Sequence, residues 1–92
     1  MKAVVTPTFA RALKKLFPNQ KTEVDRAVEL LLKDPLAGEQ KVGNLSHVYV
    51  YKFKVLDQEW LLAYTQQSSD ELKLLTLGSH ENFYRLVGKI IK

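Results

Sequence analysis

The chain has 92 residues, of which 46% are hydrophobic and 26% charged, with a formal net charge of +4. A chain this short builds one hydrophobic core, so one domain is expected and a second is excluded. With no cysteine there is no disulfide framework and no thiolate metal site, which makes the cytoplasm the natural compartment. The basic balance, with a pI near 9.4, favours an acidic or polyanionic partner, although many small domains this basic bind no nucleic acid.

Met1 to Val5 holds one lysine and too few apolar residues for a signal-peptide core or a membrane span; Lys2 to Val5 is read as an edge strand. Thr6 before Pro7 signals a helix start, and Phe9, Leu13 and Leu16 then recur at helical spacing until Pro18 ends the helix. A second helix is expected from about Gln20 to Lys33, burying Val24, Ala27, Val28, Leu31 and Leu32, with Asp34-Pro35 forcing the exit. Leu36 to Ser46, with Gly38, Gly43 and Asn44, reads as a long surface loop.

From Val48 the period changes to two. Tyr49, Tyr51, Phe53 and Val55 share one strand face, and Val50, Lys52 and Lys54 the other. Leu56 to Gln58 is a turn, Trp60 to Thr65 a strand, Gln66 to Asp70 a polar hairpin loop and Leu72 to Leu77 another strand, giving an antiparallel meander. Ser79 can cap a last helix whose stripe, Phe83, Leu86, Val87, Ile90 and Ile91, is expected to pack on the sheet.

The order β-α-α-β-β-β-α, the loop before the second strand, the segment Tyr49 to Tyr64 and the run Leu77-Gly78-Ser79-His80-Glu81-Asn82-Phe83-Tyr84 together resemble the RelE/ParE superfamily of bacterial type II toxin-antitoxin toxins. The resemblance covers essentially the whole chain. It implies an α+β, RelE-like fold in which an antiparallel sheet packs against an N-terminal helical hairpin and a C-terminal helix. It also implies a cytoplasmic toxin that cleaves ribosome-bound mRNA without metal or cofactor, partnered by a cognate antitoxin. Two other readings stay open: a ParE-like DNA gyrase inhibitor without nuclease activity, and a weakened toxin that mainly binds its antitoxin.

Metal-free RNA cleavage needs a base for the ribose 2′-hydroxyl, cations for the phosphorane-like transition state and an acid for the leaving 5′-oxygen. An imidazole has an unperturbed pKa near neutrality, and His80 would sit at a helix start, where phosphate is attracted; it also matches the histidine of the Gly-Ser/Thr-His turn in YafQ-like toxins, while local hydrogen bonding is its plain alternative. Tyr84, one turn later, can stack on a base or rest its ring on the sheet, and Arg85 can clamp phosphate or pair with Glu81. Lys52 and Lys54 coincide with the paired lysines of RelE-like toxins, and alternate lysines also mark a solvated or protected edge.

Glu59 before Trp60 resembles the acidic residue before tryptophan in YafQ-like toxins, a candidate acid or base, whereas a turn glutamate is ordinarily just exposed. His47 is a second possible acid or base or a solvated loop histidine, and Lys14 and Lys15, with Arg11, can track RNA or form a solvated helix face. The chain departs from the family pattern at two places: Val55 stands where YafQ-like toxins carry a histidine, and Leu61 or Leu62 where RelE-like toxins carry an arginine. There is no Gly-rich phosphate loop, Cys/His metal spacing, Gly-x-Ser-x-Gly elbow or EF-hand loop, which argues against ATP use and metalloenzyme chemistry.

Overall fold

A computed structural model describes residues 1–40 and 47–79. The elements run β1 (Lys2–Val5), α1 (Pro7–Lys14), α2 (Pro18–Lys33), β2 (Glu39–Gln40), β3 (Tyr49–Val55), β4 (Gln58–Ser68) and β5 (Glu71–Ser79). They form a five-stranded sheet in the order β1-β5-β4-β3-β2. The α+β class follows as expected. The sheet, however, is mixed and not wholly antiparallel: β3, β4 and β5 make the antiparallel meander, and β1 joins β5 in parallel. The intervening helices supply the crossover that a parallel pair requires.

Thr6 fixes the step from β1 into α1. Its hydroxyl accepts the Phe9 N–H at 3.1 Å and donates toward the carbonyls of Leu74 and Leu75 at 2.9 and 2.8 Å, so one cap serves the helix and stitches it to β5. Pro18 opens α2 as its first residue and does not close α1, which ends at Lys14. Proline has no N–H to leave unpaired at that position and its fixed φ suits a first turn. Gln20 completes the start by accepting the Phe17 N–H through its side chain at 2.8 Å.

Both helices cover one sheet face. Phe9, Val24, Ala27 and Leu31 interlock there with Leu62, Tyr64, Leu72, Leu74 and Leu77. The alternate residues of the strands, Val50, Leu61, Ala63 and Leu75, form with Val48 a second buried cluster on the other face. Burial on both faces explains why Leu61 to Tyr64 is apolar without alternation and buried throughout.

Other boundaries also differ from the sequence expectation, among them Gln58, expected in the turn, which is the first residue of β4. The stretch read as a loop from Leu36 contains β2, whose Glu39 and Gln40 pair with Val50 and Tyr49. β4 runs on to Ser68, so only Ser69 and Asp70 turn between β4 and β5; polar residues there are simply the solvent-exposed end of a long hairpin. Ser79 is the last residue of β5, and the expected final helix lies outside the described residues. The β3–β4 turn is a two-residue loop in which Leu56 (φ 50°) and Asp57 (φ 68°) are both left-handed, the backbone that matches hairpin twist. Asp57 tolerates that conformation better than Leu56 does.

Candidate functional site

Residues opposite one another in an antiparallel pair share a sheet face. The register Val50↔Ala63, Lys52↔Leu61 and Lys54↔Glu59 therefore puts Lys52, Lys54 and Glu59 together on the face opposite the helices. Lys52 and Lys54 are exposed, as is Glu59. Gly78 of β5 lies across from Leu61, so the strip continues over a residue without a side chain toward the end of β5, and His80 follows Ser79 in the chain. Two ammonium groups and a carboxylate, all exposed, make a surface that can take an anionic ligand.

The same lysines also meet the plainer description. The outer side of β3 is paired with β2 only at Tyr49 and Val50, so among the described residues the strand is an edge from Tyr51 onward. Lysines at such an edge discourage unwanted strand pairing.

The other expected residues do not all converge there. His47 is exposed in the turn before β3, and Lys52 lies five residues on, roughly 16 Å along an extended chain. Lys14 ends α1 and Lys15 is its C-cap, both on the helix-covered side of the sheet. Arg11 and Lys14 in the last turn complement the negative end of the helix dipole, which accounts for part of this charge without a ligand. His80, Tyr84 and Arg85 lie outside the described residues. Val55, Leu61 and Leu62, at the positions of the two family departures, are buried to 1%, 0% and 0% exposure; here they are core, and β4 supplies no guanidinium in the arginine's place.

Sequence reasoning missed Tyr64 as an organiser. Its ring is fully buried and stacks on Tyr49 with centroids 5.5 Å apart. Its hydroxyl donates to the Pro35 carbonyl at 2.7 Å and accepts the Gly38 N–H at 3.0 Å. A Cβ on Gly38 would fall 2.6 Å from that oxygen, so glycine is needed for the close approach. Burial pushes the phenol above its ordinary pKa, the Gly38 N–H partly opposes this, and Tyr49 and Asp34 raise it further. Nothing local in the sequence couples Gly38 to a tyrosine 26 residues away.

The sequence places Trp60 at a strand start and marks Glu59 by its neighbourhood, with no role for the indole itself. It forms one wall of an open hollow of about 330 Å³ lined by Ala12, Lys15, Leu16, Gln58, Leu77, Gly78 and Ser79, between the end of α1 and the ends of β4 and β5. Its indole N–H donates to the Gln58 side-chain carbonyl at 3.2 Å. Among the described residues, no group of three or more His, Cys, Asp or Glu side chains is placed to hold a metal ion, and no helix is long and apolar enough to cross a membrane.

A family model described as the ParE-like toxin of type II bacterial toxin-antitoxin systems matches residues 3–87. No curated protein matches the chain. Among solved structures, the free E. coli toxin RelE carrying two arginine-to-alanine substitutions superposes with a TM-score of 0.75 at 12% identity, covering 97% of this chain and 92% of that one. The intact E. coli RelBE toxin-antitoxin complex matches with a TM-score of 0.66 at 14% identity over 84% of this chain and 93% of that chain. Isolated E. coli RelE matches at 0.65 and 15% identity, with 96% of both chains covered. At such identities the likeness establishes a shared RelE-like fold.

Proposed function

The chain belongs to the ParE-like toxin family of type II bacterial toxin-antitoxin systems, and from that premise we propose that it is a cytoplasmic, ribosome-dependent mRNA endoribonuclease that stops translation by metal-independent cleavage. The observation that carries this reading is the exposed pair Lys52 and Lys54 on the strand face opposite the helices, with Glu59 directly across from Lys54. A scissile phosphate gains negative charge as the 2′-oxygen attacks, and ammonium groups already held on a strand stabilise that charge without reorganising.

In this scheme His80 takes or gives the proton, Glu59 orients it or shares the acid-base work, and Tyr84 positions the RNA. The 2′-oxygen forms its bond to phosphorus as the bond to the 5′-oxygen breaks, leaving a 2′,3′-cyclic phosphate and a 5′-hydroxyl. Lys14, Lys15, Arg85 and His47 serve as outlying RNA contacts, whose attraction to phosphate is salt-sensitive. The proposed regulator is a cognate antitoxin, as RelB is for RelE in the E. coli complex. Residues 1–92 act as one toxin domain.

A second reading, a ParE-type gyrase inhibitor or a weakened toxin that binds its antitoxin, is favoured by the complete burial of Leu61 and Leu62, which removes the arginine of RelE-like toxins. The deciding experiment is primer extension on a defined message translated in a purified system, beside the same RNA without ribosomes. Cuts confined to the translated sample support the proposal. An intact message in both, with inhibition of DNA supercoiling by the purified protein, establishes the rival.

A further inference from the structure

We infer that the hollow beside Trp60 is a subsite for one unpaired nucleotide of the message, with the base against the indole and the phosphate beside Lys15. The inference rests on the RNA-cleaving reading for its choice of ligand, but its geometry is independent of the lysine face. Ala12, Leu16 and Leu77 give an apolar floor, and Trp60 is half-buried and forms the aromatic wall. About 330 Å³ is at the small end of ligand sites, matching a single nucleotide better than a folded segment.

Charge selects the ligand. Among the described residues, none that lines this hollow carries a carboxylate, and Lys15 stands at its rim. The two other hollows described are mixed: one includes Glu23 with Arg26 and Lys54, the other Glu29 and Asp34 with Arg26 and Lys33, and Arg26 is already paired with Glu23 at 3.0 Å. Of these three hollows among the described residues, the one beside Trp60 opposes an anion least. The polar groups also suit a base: Gln58 uses its carbonyl on the indole N–H, which leaves its amide hydrogens as donors to a base edge, and Ser79 adds a hydroxyl. An aromatic face with a nearby cation is how proteins hold single-stranded RNA without reading its sequence.

Position ties the hollow to the reaction proposed. Trp60 follows Glu59, and Ser79, which lies across from Trp60 in the β4–β5 register, precedes His80. A strand of RNA passing over this end of the sheet can leave one base on the helix side while its backbone reaches the lysine side.

Trp60 is the sole tryptophan, so the protein reports on its own site. The full chain is titrated with a short single-stranded oligoribonucleotide, with a matched RNA abasic at every position, and with polyglutamate of equal charge. The same RNA carrying a fluorescent label is followed by anisotropy for Lys15→Gln and Trp60→Leu. The expected results are quenching of the indole by the intact RNA alone, affinity about tenfold or more weaker in Trp60→Leu, and a salt slope lower by about one in Lys15→Gln. Because Trp60 touches the core, the exposed Lys15 variant keeps the test valid if Trp60→Leu unfolds. No quenching at saturating RNA, equal quenching by the abasic RNA, or an equal response to polyglutamate overturns the inference, the last pointing to an acidic protein partner. Quenching by RNA from a protein that leaves translated messages intact overturns the nuclease reading and leaves this subsite standing.

Discussion

Tyr64→Phe isolates one hydroxyl group at the junction between α2, β2 and the central strand. The ring and its stacking on Tyr49 remain, while the Gly38 N–H and the Pro35 carbonyl lose the partner that holds them at 3.0 and 2.7 Å. Both bonds are part-buried; at about 1 kcal/mol each, losing the pair costs roughly 2 kcal/mol. For a domain of this size that lowers Tm by about 8–16 °C. Urea and thermal unfolding followed by circular dichroism measure it. A loss below about 0.5 kcal/mol refutes the argument that this hydroxyl ties the turn to the sheet. The pH dependence is a second check. With the folded-state phenol raised, the unfolded chain releases its proton first, so the contribution is intact below about pH 10 and is lost as pH rises from there through the folded value. Tyr64→Phe flattens that alkaline fall in stability.

Leu56→Asn relieves a left-handed, 68% exposed leucine, and a gain of about 0.5–1 kcal/mol in urea unfolding is expected; a loss means that Leu56 packs on something its exposure conceals. Thr76 is fully buried, and its hydroxyl has no hydrogen-bond partner among the described residues, so Thr76→Val is expected to stabilise by about 1 kcal/mol. A destabilised Thr76→Val protein shows that the hydroxyl is satisfied after all. Lys52→Ala combined with Lys54→Ala is expected to lower the cleavage rate about a hundredfold or more while moving unfolding stability by no more than about 0.5 kcal/mol. Full cleavage by that variant assigns the lysines to edge protection.

Much of the architecture is legible along the chain because its causes are local. Thr6-Pro7 caps a helix wherever it stands, the spacing of Val24, Ala27 and Leu31 makes one buried stripe, and the alternation from Tyr49 to Val55 puts Lys52 and Lys54 on one side of a strand. The lysine face was therefore readable before any fold was known. Pro18 is ambiguous along the chain because proline both ends and begins helices, and only the cap formed by Gln20 decides which.

What tertiary structure decided are the meetings between distant residues. The parallel pairing of β1 with β5 joins positions nearly seventy residues apart (Lys2↔Glu71). The short β2 exists because β3 offers it an edge, and Gly38 is required because Tyr64 arrives against it. Trp60 becomes a wall of a hollow because the end of α1 stops beside it. Capping and periodicity depend on neighbours within a few residues, so sequence determines them directly; strand order and close approach depend on packing free energy summed over the whole chain, and are settled only when all the elements share one core.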